Sequence, residues 1–533
     1  YTTYQALSSL GHHYVNGACD RCGASDPSVP PEPDEQLVYR FNGSGYTVTG
    51  IGTMSDAVLT IPSTYNGHPV TEIGESAFDG ITWLSDVTIP DGVTSIGYSA
   101  FNGCTGIKSI DIPDSVTIIG GSAFFGCTGL TSIDIPDSVT IIGGSAFFGC
   151  TGLTSIDIPD SVTSIGGSAF YGCSGLESVV IPGSVTEIGG GAFDGCTGLK
   201  SIDIPDSVTS IGSGAFRSCA GLKSIDIPDS VTSIGDYAFG GCSGLESVVI
   251  PDGMNNISSG MFWYCTKLES VVIPNGVISI GSYAFSGCAS LESIAIPNSV
   301  TEIGDSAFSG CSGLESIVVE EGNPVYHSAG NCLIETQSKT LLLGCKSSII
   351  PDDGSVTSIG VDAFSNCTGL TSIVIPDSVT EIGGHAFIGC TGLKEIEIPT
   401  SVTSIGADAF RACTGLTNIV IPGSVTEIGG GAFVFCTGLT RVVILDGVTS
   451  ICNSMFAECT GLESIVIPDS VTIIGGSAFD GCTALKSVVF ENPEGWVAEG
   501  NEVSSEDLSD PAVAASLLAG EHAYYGRWER YEW

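Results

Sequence analysis

Sixteen cysteines of this chain stand in one phase. Cys104, Cys127, Cys150, Cys173, Cys196, Cys219, Cys242, Cys265, Cys288 and Cys311 follow one another at intervals of 23 residues. The interval resumes at Cys367, Cys390, Cys413, Cys436, Cys459 and Cys482. A fixed period of this size means stacked supersecondary units. One unit cannot bury its own apolar edge, so each coil completes the core of its neighbour. The 533 residues therefore read as one array with terminal pieces. They do not read as the three or four domains that roughly 150 residues per domain would imply.

Each letter of the unit L-x-S-I-x-I-P-x-S-V-T-x-I-G-x-x-A-F-x-x-C-x-G has a physical reading. In Leu130–Pro136 the apolar Leu130, Ile133 and Ile135 alternate with Ser132 and Asp134, which predicts a strand with one buried face. Pro136 ends it, because proline cannot donate to a ladder. Val139 and Ile142 predict a second short buried stretch, ended by Gly143 and Gly144. Ala146 and Phe147 then open a tight turn, read as helical, that closes at Cys150. Ile110–Gly129 recurs letter for letter as Ile133–Gly152, the mark of a recent duplication.

This pattern resembles the BspA-like, Treponema pallidum-type class of bacterial leucine-rich-repeat surface proteins, over about residues 55–490. The resemblance implies a leucine-rich-repeat solenoid: a right-handed, β-rich superhelix of 23-residue coils with parallel strands and short helical turns. It also implies extracellular or cell-surface display on a bacterium and adhesion to a protein of a host or neighbouring cell.

The array has boundaries. Residues 1–26 form a small Cys/His segment, and 27–36 a proline-rich, extended linker. Residues 37–83 read as an N-terminal hairpin cap with the first coil, where Ile81 replaces the cysteine. The array proper spans 84–490, with an insert at about 320–350. There Asn331–Glu335 and Thr340–Cys345 predict a hairpin standing out of the solenoid. Residues 491–533 read as a C-terminal cap, with Asp510 as N-cap, Pro511 as first helical residue and Gly520 as stop. No apolar run is long enough for a transmembrane helix. The chain starts at Tyr1 without a signal peptide, so a removed leader or a fragment is expected, and no anchor is identified.

The net charge of −44 argues against nucleic acid and anionic membranes, which require basic patches. No catalytic constellation is legible. The six histidines share no phase with a nucleophile, and the G-C-S-G-L loops fall short of a nucleophile elbow. The chain is read as no enzyme and as a monomer that requires no cofactor. The ladder cysteines read as buried thiols in a packing column. Cys332 and Cys345, on opposite arms of the insert hairpin, could pair as a disulfide. His12, His13, Cys19 and Cys22 supply part of a structural zinc site; a small disulfide or a free pair is the alternative.

Alternation puts the residue between the two buried isoleucines on the surface. That column reads Asp111, Asp134, Asp157, Val180, Asp203, Asp226, then Val249, Val272, Ala295 and Val318. Stacked aspartates repel unless a cation or a basic partner helps. A valine stripe over several coils exceeds the scattered apolar residues normal on a surface. Strand propensity and solubility are the plain alternative. A further column carries Phe125, Phe148 and Tyr171, which either grip a ligand or pack on one another. The functional reading is an exported adhesin that engages a protein partner along the repeat face. The alternative is an acidic spacer or stalk without a specific ligand.

Overall fold

The computed structural model describes residues 5–6, 13–15, 18–19, 36–519 and 526–531. The chain divides into two compact units, Tyr1–Leu176 and Glu177–Trp533.

In the first unit the coils contribute two short segments each, paired in parallel with their counterparts 23 residues away; at Asp134 the first segment is reduced to a single bridge to Asp111. Ser109, Ile110 and Asp111 face Asp86, Val87 and Thr88. In the other column Ile73, Ile96, Ile119, Ile142 and Ile165 follow one another in register. The array opens on an antiparallel hairpin, Leu37–Phe41 with Tyr46–Ile51. Its second arm pairs in parallel with His68–Ile73, so the hairpin occupies the free edge of the second-strand column.

The A-F turn is not helical. Ala146, Phe148 and Cys150 donate their amides to carbonyls three residues back, whereas Ser145 and Phe147 donate to Gly167 and Ala169 of the next coil. Half of the amides thus serve a parallel ladder between coils, which an α-helix cannot spare. Ser145 and Gly149 also take left-handed φ of 59° and 70°, which stops a right-handed helix from propagating.

Two side-chain columns fill the interior. The phenylalanine rings stack face to face, with Phe124 and Phe147 5.4 Å apart at 8°. Beside them the buried cysteines donate their thiols backward: Cys150 Sγ to Phe124 O at 3.1 Å, Cys127 Sγ to Phe101 O at 3.2 Å. The thiol therefore couples one coil to the preceding one, beyond filling volume.

The second unit repeats this plan. Its phenylalanine stacks run from Phe193 to Phe239 and on to Phe308, then from Phe364 to Phe479. Between them lies the insert, which does not stand out from the array. Tyr326–Ala329, Cys332–Glu335 and Thr340–Leu343 form an antiparallel meander whose last strand pairs in parallel with Ser358–Ile359. Cys332, Leu333, Ile334 and Leu341 are fully buried. A protruding hairpin would leave these side chains in water, so the meander supplies a second-strand rung of the array instead. The turn column closes past it: Gly310 N donates to Ser365 O at 3.1 Å.

After Phe490 the parallel order ends. Trp528–Arg530 pairs antiparallel with Ile473–Ile474 and with Trp496–Ala498. Helices Ser505–Ser509 and Pro511–Ala519 follow the latter strand, and Asp510 Oδ1 accepts the amides of Ala512 and Val513. Trp496 and Trp528 are buried. The expected helix stop, Gly520, lies outside the described residues.

Candidate functional site

The first-strand column presents an outward face because its strands alternate buried and exposed residues. In the first unit Asp111 and Asp134 are bridged as neighbours along it, and Asp157 stands on the same exposed position. In the second unit Asp203 and Asp226 are bridged likewise. No group of three histidine, cysteine, aspartate or glutamate side chains is arranged to hold a metal ion among the described residues. Asp111, Asp134 and Asp157 in the first unit, and Asp203 and Asp226 in the second, form charged stripes on this exposed face.

The valines of the second unit lie open to water. Val180 is 61 % exposed, Val249 64 % and Val272 68 %. Ser247, Val248 and Val249 face Ser270, Val271 and Val272 in register, and Ser293–Ile296 pairs with Ser316–Val319. Val318 is exposed as well. An acidic row flanks this stripe. Glu269, Glu292 and Glu315 each donate their amide to the carbonyl of the preceding glutamate, beginning at Glu246. Among the described residues only Glu315 of this row makes an ion pair: Lys346 Nζ lies 2.7 Å from it, which holds the Glu315 carboxyl below its ordinary value.

Past the insert the same face is grooved. One depression on it, about 670 Å³, is lined among others by Val374, Glu397, Val420 and Leu445. Two further grooves lie over Arg441 and Val443 and over Val466 and Val489. Two-residue alternation carries these valines in the same outward column. One available signal was Leu445, which stands where neighbouring coils carry Pro422 and Pro468.

The aromatic column resolves differently from a gripping surface. Phe125 and Phe148, and then Phe148 and Tyr171, stack with centroids 4.4 Å apart and planes 7° from parallel. Their ring faces are spent on one another, and only edges and the ends of the stack remain.

The ladder thiols are sequestered. Burial pushes Cys104, Cys173, Cys242, Cys311, Cys367, Cys436 and Cys482 up to about 12, too high for nucleophilic thiolate chemistry near neutrality. Cys332 and Cys345 are free thiols, not the disulfide considered above. Cys332 Sγ points to Gly330 O and Ile349 O, and Cys345 Sγ to Asn331 O and Ser347. His12 and Cys22 of the zinc reading lie outside the described residues. His13 and Cys19 are described in backbone only, on strands His13–Val15 and Ala18–Cys19. No helix among the described residues is long and apolar enough to cross a membrane.

The family model for the BspA-type leucine-rich-repeat region matches residues 59–177, 163–291, 255–332 and 345–463. Among solved structures, a leucine-rich-repeat protein from Bacteroides ovatus is 30 % identical. The match covers 82 % of this chain and 94 % of that one, with a TM-score of 0.50. A leucine-rich cell-surface protein from Faecalibacterium prausnitzii is 29 % identical, over 87 % and 96 %, with a TM-score of 0.49. The leucine-rich-repeat protein of Treponema pallidum is 34 % identical, over 36 % and 89 %, with a TM-score of 0.35. The search of curated proteins returned no match.

Proposed function

The chain belongs to the BspA-type leucine-rich-repeat family, and on that premise we propose that it is a non-enzymatic, exported cell-surface protein that binds a protein partner along the outward first-strand face. The observation that carries the reading is the valine stripe Val249, Val272 and Val318, exposed coil after coil on a stiff scaffold. Contiguous exposed apolar surface marks interaction sites. The glutamate row beside the stripe and the bridged Asp203 and Asp226 of the same unit favour a partner with basic residues around an apolar strip. Contacts of small energy per coil add along the array, as in multivalent binding.

The test is binding of the full chain to a panel of purified extracellular-matrix proteins by interferometry, at low and physiological salt. Val249→Lys, Val272→Lys and Val318→Lys together are expected to abolish binding while far-UV circular dichroism is unchanged. Unchanged affinity in the triple variant, or no binder in the panel, counts against the reading. The letter-for-letter duplication of Ile110–Gly129 favours a second reading, an acidic spacer that needs only length. A panel without binders would leave that one standing.

A further inference from the structure

The second unit carries a notch that breaks the repeat's own surface pattern. The position after the buried phenylalanine reads Asp194, Arg217, Gly240, Trp263 and Ser286 on successive coils. Gly240 is the one glycine of that column, so a side chain is missing between an arginine and a tryptophan. Arg217, Trp263, Tyr237 and Tyr283, on the coils around it, line a pocket of about 310 Å³. That lies at the lower end of the roughly 300–1,000 Å³ typical of small-molecule sites.

The aromatic residues occupy backbone that the repeat elsewhere reserves mainly for small residues. Tyr237 and Tyr283 take φ of 55° and 59° at the position before Ala-Phe, where other coils have mostly serine or glycine. Tyr264, beside Trp263, takes 54° at the position before cysteine, mostly glycine elsewhere. Left-handed φ recurs at these positions from coil to coil, and it is costly for bulky side chains, which is why small residues prevail there. Gly260 makes room for one of them: a Cβ there would lie 2.2 Å from the Tyr237 ring.

Ring geometry separates the notch from the Phe125 stack. Tyr237 meets Trp263 edge to face, at 6.1 Å and 82°, and Trp263 meets Tyr264 at 65°. These rings do not cover one another's faces as parallel stacking does. The polar groups are unspent as well. Among the described residues the Tyr237 and Tyr283 hydroxyls and the Trp263 indole N–H make no hydrogen bond, and the Arg217 guanidinium makes neither a hydrogen bond nor an ion pair within 4.0 Å. The charge nearest to it is Asp194, one coil back: burial raises that carboxyl, and the guanidinium opposes the rise by favouring the ionised form.

We propose that this notch binds a single sugar ring bearing a carboxylate, of the uronic-acid class. The apolar C–H face of a pyranose lies on an aromatic face, and the hydroxyl and indole groups meet the sugar hydroxyls. The guanidinium takes the carboxylate in a bidentate fork. A proline-rich peptide also uses aromatic rings, but it needs a groove running past both ends. Here Arg217 and Trp263 wall the space within two coil steps, about 10 Å.

Saturation-transfer NMR on the full chain tests this, with methyl glucuronide and methyl glucoside as probes. The glucuronide is expected to bind with millimolar affinity, at least tenfold tighter than the glucoside. Arg217→Ala should erase that preference, and Trp263→Ala should abolish both signals. Gly240→Phe fills the notch at a backbone position without left-handed φ and should abolish both with circular dichroism unchanged. The proposal is overturned if the glucuronide shows no transfer, if all three variants bind it as the parent does, or if a proline-rich decapeptide binds at the notch and displaces the sugar.

Discussion

Alkaline pH should unfold this array through its cysteine column. An unfolded thiol titrates near 9.0, while burial holds the ladder thiols well above that, to about 12 for Cys367, Cys436 and Cys482. Cys390, Cys413 and Cys459 are raised by burial in the same way. Below pH 9 both states keep the proton and stability is indifferent to pH. Between pH 9 and 12 only the unfolded chain releases it, so stability falls as pH rises. Above about 12 both states ionise and the loss levels off. At pH 10 each thiol costs about 1.4 kcal/mol, one pKa unit of linkage. The six thiols from Cys367 to Cys482 together cost about 8 kcal/mol, comparable to the whole stability of an ordinary domain, about 5–15 kcal/mol. With a urea slope of about 3 kcal/mol/M, the midpoint of that stretch should drop by about 3 M between pH 8 and pH 10. The assay is urea unfolding of the full chain by far-UV circular dichroism at both pH values. A variant with Cys390→Ala, Cys413→Ala and Cys436→Ala should start less stable and lose only about half as much on going to pH 10. Equal pH shifts in the two proteins, or none in the parent, would refute the reasoning.

Three further outcomes follow from the packing. Phe147→Ala removes a fully buried ring between Phe124 and Phe170 and should cost about 3–5 kcal/mol, seen as new proteolytic cleavage near residues 143–153. Gly143→Ala should lower Tm sharply, because its Cβ would sit 2.4 Å from Gly121 N. Gly144→Ala, whose nearest atom is 3.2 Å away, should melt close to the parent. Arg530→Ala should release the last strand, since its almost fully buried guanidinium bonds Asp469 Oδ1 at 3.0 Å and Asp469 O at 2.6 Å. Loss of amide protection at Ile473 and Ile474 would report the release, and unchanged protection would count against it.

Much of the coil was legible because its period, its alternation and its breakers act locally. Ile133 and Ile135 are buried and Asp134 is exposed, as two-residue alternation demands. The A-F turn was misread as helical because its residues suit a helix locally, and the competing bonds come from a coil 22 residues away. The insert was misread as protruding for a related reason. Its hairpin pattern is visible in sequence, but the rung into which Thr340–Leu343 fits is set by Ser358–Ile359. Of the notch, the position after the buried phenylalanine shows Arg217 and Trp263 in the sequence itself. Tyr237 and Tyr283 escaped because their signal is a bulky residue at a left-handed position, and φ is not written in the chain.

The sequence by itself determined the family, the 23-residue coil, the buried columns and the outward stripe of aspartate and valine. Those depend on period and polarity, which stacking copies without alteration. Only the tertiary structure decided which aromatic rings cover one another and which stay open. It also decided whether the insert joins the sheet and that ladder thiols such as Cys127, Cys150 and Cys390 donate to the coil behind them. These depend on contacts between residues 22 or more positions apart, where a missing side chain at Gly240 matters as much as a present one at Trp263.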